Sequence, residues 1–118
     1  MSSPFVPRVT ATVDLGAIRH NLAQARKHAP QSRVMAAIKA DAYGHGAVPV
    51  ARALRQGGVD AFAVACLEEA LVLREAGLDT PIVLLEGVLS KQEAETSARL
   101  GLQVVVSRLA PAMVMPAC

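Results

Sequence analysis

"AAIKADAYGHG", residues 36–46, runs small and branched apolar residues into Lys39 and then breaks at Gly44-His45-Gly46. With Val34 and Met35 in front of it, the apolar part reads as a short, fully buried strand over 34–39, since a continuous apolar run of that length suits a strand covered on both faces. Lys39 then stands at the carboxyl end of that strand, with Ala40 to Tyr43 in the loop that follows. Parallel α/β folds gather their ligands at the carboxyl ends of strands, so the lysine sits where chemistry is expected.

Working outward, strand and helix patterns alternate. Residues 9–15, VTATVDL, alternate as a half-buried strand does. Ile18, Leu22, Ala25 and Ala29 fall at helical spacing over 17–29, and Pro30 ends that helix. Residues 47–56 form the next helix, with Val50 and Leu54 on one face, Pro49 in the first turn and Gly57-Gly58 as the stop. AFAVA (61–65) is a strand. LEEALVLREAG (67–77) is a helix with Leu67, Ala70, Leu71 and Arg74 on one face. PIVLL (81–85) is a third buried strand. Ser90 and Glu93 form a capping box, in which each side chain serves the other residue's backbone N–H, and that helix runs to Gly101. LQVVV (102–106) is a further strand. Such alternation implies right-handed crossovers and a parallel sheet, either open or closed into a barrel. A complete (β/α)8 barrel takes roughly 250 residues, and the sequence has 118. The last twelve residues, SRLAPAMVMPAC (107–118), break the pattern with Pro111 and Pro116 and read as an atypical tail on a shortened chain.

Composition narrows the function classes. Aromatic residues make up 3% and the net charge is +2, so neither a stacking platform nor a basic footprint for nucleic acid is expected. No apolar run reaches the ~18 residues of a membrane helix, and MSSPFVPR lacks the apolar core of a secretory signal. A cytoplasmic setting is the expectation. Cys66 and Cys118 stand in neither a metal-ligand nor a C-x-x-C spacing, and Cys66 reads as a buried thiol. No second histidine stands at metal spacing from His45, so no metal site is expected.

A lysine amine is a nucleophile when neutral, and burial among apolar residues favours the neutral form. The residues flanking Lys39 would supply that burial, and such an amine condenses with an aldehyde cofactor or a carbonyl substrate. The plainer alternative is a lysine that extends from the rim into solvent. Tyr43, the single tyrosine, either donates its hydroxyl to a phosphate or carboxylate or caps the core at the rim. Gly44 and Gly46 suit a sharp turn into a helix N-terminus, which favours anions, although neither a Walker loop nor a G-x-G-x-x-G fingerprint is present. Asp41 reads as a loop-ordering residue. Glu68 and Glu69 open a helix, where negative charge suits the dipole.

As a whole, "AAIKADAYGHG" closely resembles the pyridoxal-phosphate attachment motif of alanine racemases, fold-type III enzymes with an N-terminal barrel. "TATVDLGAIRHNL", with Asp14, Leu15 and Asn21, resembles the family's opening strand and helix. "FAVACLEEALVLREAGLDTPIVLLEG" resembles its second and third barrel units, so the likeness spans about residues 10–107. The resemblance implies a partial (β/α)8 TIM-type barrel, truncated, filling residues 1–118, with pyridoxal 5'-phosphate as cofactor. It implies that Lys39 attaches the cofactor and serves as one of two bases at the substrate α-carbon. Tyr43 would contact the cofactor phosphate, and Ala37 and Leu85 would line its ring. The substrate would be alanine, interconverted between its L and D forms. The family works as a homodimer whose opposing tyrosine comes from the C-terminal domain of the second subunit. That domain and the later barrel strands are not in this sequence, so the chain alone is expected to be an incomplete enzyme. Two alternatives remain beside this reading: a catalytically silent fragment or scaffold, and another fold-type III pyridoxal-phosphate barrel.

Overall fold

The computed structural model describes residues 12–106. Its parallel sheet has four strands: β1 (Met35–Ala37), β2 (Ala61–Val64), β3 (Ile82–Leu84) and β4 (Gln103–Val104), side by side in chain order. The helices are α1 (Leu15–His28), α2 (Lys39–Tyr43), α3 (Ala47–Gln56), α4 (Leu67–Glu75) and α5 (Lys91–Arg99). The result is part of an α/β barrel wall, unclosed. Of the strand expected over 9–15, residues 9–11 lie outside the described part, and so do Cys118 and the tail 107–118. Residues 12–14 form no strand. Asp14 caps α1 instead, its Oδ1 accepting the Ala17 N–H at 3.0 Å, which satisfies one of the orphan donors of the first turn.

Register explains the core. Ala36 pairs with Phe62 and Phe62 with Ile82; Val64 pairs with Leu84 and Leu84 with Val104. Side chains alternate across a strand, so these residues share one face. Phe62, Val64, Ile82 and Leu84 are buried there in one cluster with Val50 and Leu54 of α3, Ala70 and Leu73 of α4, and Ala94 of α5. The other face carries Met35, Ala37, Ala63, Val83 and Gln103 in matching register. Met35 is 51% exposed, whereas the central Ala63 is 2% exposed. The strand expected to be fully buried over 34–39 is therefore half covered and shorter. It ends at Ala37 because Ile38, at φ −123°, ψ 28°, leaves the extended region.

Two other expectations change. On α4 the buried residues are Ala70 and Leu73, not Leu71, because the helix packs against both β2 and β3. Arg74 of α4 is no surface cation: its guanidinium donates to the carbonyls of Leu78 (2.9 Å), Thr80 (2.8 Å) and Leu100 (3.1 Å), tying the approaches to β3 and β4 together. At α5, Ser90 Oγ accepts the Glu93 N–H at 3.1 Å as the capping box requires, but Glu93 reaches back to the Leu89 N–H at 3.3 Å instead of to Ser90.

At the amino ends of the strands, Asp60 Oδ2 accepts the Val34 N–H at 2.6 Å and the Arg26 guanidinium at 3.1 Å. Arg26 also donates to the Gly58 carbonyl, so one arginine joins α1 to the start of β2. The Val34 N–H, and behind it the charge of Arg26, holds the Asp60 carboxyl below its ordinary range despite an opposing desolvation effect. A carboxyl depressed on folding stabilises the fold above its unfolded value, about 3.9, and that contribution is lost as pH falls through the folded value. Thermal melts should show wild type above Asp60→Asn at neutral pH, with the gap closing below pH ~4. A gap independent of pH would refute this account.

Candidate active site

β1 closes its ladder at Ile38, whose N–H donates to the Ala63 carbonyl at 2.9 Å. Lys39 follows at the carboxyl end of the sheet. Next, Ala40, Asp41, Ala42 and Tyr43 all take positive φ, 54° to 56°. The segment read as an ordinary loop is a left-handed helical turn. Each such residue costs about 1–2 kcal/mol in an L-amino-acid chain, and Ala has no side-chain group to offset it. The turn persists because its surroundings over-determine it. Ala42 N–H donates to the Ile38 carbonyl (2.9 Å), Gly44 N–H to Ala40 (3.0 Å) and Gly46 N–H to Asp41 (2.9 Å). The Ala42 methyl is buried in the core. Asp41 Oδ1 accepts the Ala47 N–H at 2.7 Å, capping the first turn of α3, so Asp41 orders the loop as expected. His45 Nδ1 lies 2.8 Å from the Ala42 carbonyl, a local bond within the turn. Gly44 and Gly46, at φ 86° and 89°, complete the exit where only glycine is unstrained.

The most consequential contact was not read from the sequence. Glu69 Oε2 accepts the Ala40 N–H and Oε1 accepts the Ala65 N–H, both at 2.6 Å. The sequence signal for half of this is the third position of α4, from which glutamate commonly reaches back to the chain before the helix. The bond to Ala40 joins segments 29 residues apart and is a matter of tertiary structure. Neighbouring Cys66 is half-buried at the N-cap of α4 instead of fully buried. The Glu69 backbone N–H favours its thiolate, but burial and the carboxylates of Glu68 and Glu69 prevail and push the thiol up. The Glu68 carboxyl is lowered by its own backbone N–H and by the Cys66 side chain.

Lys39, Ala37 and Leu85 all lie at the carboxyl end of the sheet, the first two on β1 and its exit and Leu85 beyond β3, with β2 between them. Ala37 lies on the open face two residues before Lys39, and Leu85 extends β3 by one step, its N–H donating to the Val64 carbonyl at 2.8 Å. Tyr43 is 60% exposed at the end of the turn. Lys39 is also exposed, extending from the rim as the plainer of the two alternatives has it, because the sheet face beside it is open. Among the described residues the ion pair is Arg26–Asp60, so no carboxylate holds the Lys39 ammonium there. A cavity of about 180 Å³, lined by Ile38, Asp41, Val64, Glu69 and Leu73 among others, backs the turn on its helix side. No group of His, Cys, Asp or Glu among the described residues could hold a metal ion, and no described helix is long and apolar enough to cross a membrane.

A parallel barrel wall with an exposed lysine at a strand end is the arrangement of an α/β-barrel protein. Residues 13–116 match the family model described as "Alanine racemase, N-terminal domain", and the chain belongs to that family. It is 56% identical over 91 residues to an alanine racemase of Thioalkalivibrio sulfidiphilus, covering 77% of this chain and 25% of that protein. The alanine racemase structure from Acinetobacter baumannii superposes with a TM-score of 0.82 at 34% identity, over 86% of this chain and 28% of that one. The biosynthetic alanine racemase from Pseudomonas aeruginosa gives 0.80 at 44% identity, over 86% and 28%. The chain thus spans about a quarter of the length of the curated relatives it matches, and the expected partial barrel is the fold observed.

Proposed function

We propose that this chain is the cofactor-attachment portion of an alanine racemase, which interconverts L-alanine and D-alanine with pyridoxal 5'-phosphate and so supplies D-alanine for peptidoglycan or serves alanine catabolism in the cytoplasm. The observation that carries the reading is Lys39, held at the end of β1 on the left-handed turn, in a chain whose match to the family runs from 13 to 116.

The residues present fit the group. A planar ring needs a flat, small-residue floor beside the amine, and Ala37, exposed on the open face two residues before Lys39, offers one. Lys39 Nζ would hold the aldehyde carbon covalently, with release of one water. Tyr43 would turn its hydroxyl to the phosphate, and Ala37 and Leu85 would flank the ring. When bound, pyridoxal phosphate supplies an electron sink for negative charge at a substrate α-carbon. Once the substrate's own amine has displaced it from the aldehyde carbon, Lys39 Nζ would be free to carry a proton to and from the α-carbon on one face, the face from which D-alanine loses its proton. A tyrosine from the C-terminal domain of the second subunit of a homodimer serves the opposite face. The chain spans about a quarter of the length of its curated relatives, so racemisation is proposed for the whole protein.

The open sheet face favours a second reading: a scaffold that keeps the fold and binds no cofactor. Borohydride trapping separates the two. The chain is mixed with pyridoxal phosphate, reduced, digested and mapped by mass spectrometry. A pyridoxyl adduct concentrated on Lys39 over the exposed Lys27 and Lys91 is the expected result. Equal labelling of the three lysines, or none, would establish the scaffold.

A further inference from the structure

We propose that Glu69 is the positioning residue for Lys39: its carboxylate clamps the carboxyl ends of β1 and β2 and fixes the backbone from which the lysine projects. As a role in cofactor attachment, this rests on the reading above.

Regular sheet pairing runs out just before the lysine. The Ile38 N–H still finds the Ala63 carbonyl at 2.9 Å. Beyond it β1 bends into the left-handed turn, and β2 has already ended at Val64. The next residues on both strands need acceptors from elsewhere. Glu69 supplies both, with Oε2 to the Ala40 N–H and Oε1 to the Ala65 N–H at 2.6 Å each. These are short, charge-assisted bonds. Lys39 is thereby bracketed: the N–H before it is held by β2 and the N–H after it by α4. Ala40, at φ 54°, is also the first residue of the strained turn, so the clamp acts where the chain would otherwise relax into the right-handed region. Relaxation there would re-aim the Lys39 side chain without disturbing the core beneath.

Only a carboxylate of this length meets the geometry. Glutamine offers one acceptor oxygen and turns an amide donor toward the other N–H. Aspartate keeps both acceptors but is one methylene shorter. Glu69 touches the backbone just after Lys39, at Ala40, and the end of β2, at Ala65, and not the reacting atoms, so its effect reaches the chemistry through geometry.

The test uses amide hydrogen exchange by NMR on the full chain, with borohydride trapping alongside. In Glu69→Gln, exchange at Ala40 should accelerate at least about tenfold. The Phe62 N–H, bound to the Pro81 carbonyl, and the Leu78 N–H, bound to the Leu73 carbonyl, should stay within about twofold. Trapping at Lys39 should fall to the level of Lys27, and Glu69→Asp should lie between. Unchanged exchange at Ala40 in Glu69→Gln would overturn the proposal. So would acceleration shared equally by Phe62 and Leu78 in both variants, which would make Glu69 a general stabiliser. If wild type shows no preference for Lys39 in trapping, the cofactor reading fails by itself, and the Ala40 exchange rates still decide for or against the clamp.

Discussion

Lys39→Ala should remove the pyridoxyl adduct proposed for this chain and leave its stability almost untouched. Both halves of this expectation follow from where the residue stands. Its side chain is exposed and has no ion-pair partner among the described residues, so its loss should change the unfolding free energy by no more than about 0.5 kcal/mol. Among the described residues its amine is nevertheless the one lysine amine at the carboxyl ends of the strands, because Lys27 lies in the last turn of α1 and Lys91 opens α5. Selective labelling should fall by about two orders of magnitude or more, to background, if covalent attachment depends on this amine. Peptide mapping after reduction reads the first quantity and a urea titration the second. An adduct that persists elsewhere at wild-type level would remove Lys39 from the proposed function. A loss of adduct accompanied by unfolding would leave the lysine with a structural role that the fold gives no reason to expect.

Phe62→Ala should have the opposite profile, a large loss of stability far from any chemistry. Phe62 has no exposed surface and is among the largest fully buried side chains. Its strand neighbours are Ala36 on one side and Ile82 on the other. Alanine at 36 cannot lean into the space that a lost ring leaves, so the cavity stays open. Truncation of a buried Phe costs about 3–5 kcal/mol, against the roughly 5–15 kcal/mol that holds a domain together. The urea midpoint should drop by about 2 M, whereas Phe62→Leu should recover most of it. A change below about 1 kcal/mol would mean that the sheet and helices can repack around the site, contrary to the arrangement seen.

The units that read most clearly in the sequence are those with punctuation. α3 begins after Gly46 and ends at Gln56 before Gly57, and β2 and β3 are short apolar runs between turns, so periodicity and glycine placed them to within a residue. Asp14 misled because an alternating stretch and an N-cap overlap, and the cap prevails where the aspartate finds the Ala17 N–H. The left-handed turn was illegible. Two of its residues are Ala40 and Ala42, and alanine carries no local preference for positive φ. The conformation is held by contacts with other segments: Glu69 on Ala40, Asp41 on Ala47, and the Ala42 methyl in the core. Lys39 was placed at a strand end by pattern alone, whereas its exposure depended on how much of the barrel surrounds it. Its assignment came from the eleven-residue motif as a whole, since no single residue in it specifies the chemistry. The Glu69 bridge depends on two strand ends and a helix start meeting in space.

The order of the sheet has one further consequence. Met35 pairs with Ala61, Phe62 with Ile82 and Val83 with Gln103, so each strand docks on its predecessor in the chain. A chain emerging from the ribosome meets every docking edge already made and never waits for a distant partner. Growth is one-directional: at each stage the newest strand is the template, and a unit added after β4 would leave the three earlier pairings as they are. The Lys39 turn, together with both backbone groups that Glu69 holds, is complete once β2 and the first turn of α4 have been laid down. The corner around Lys39 is thus among the earliest parts of the wall to acquire all of its fixings.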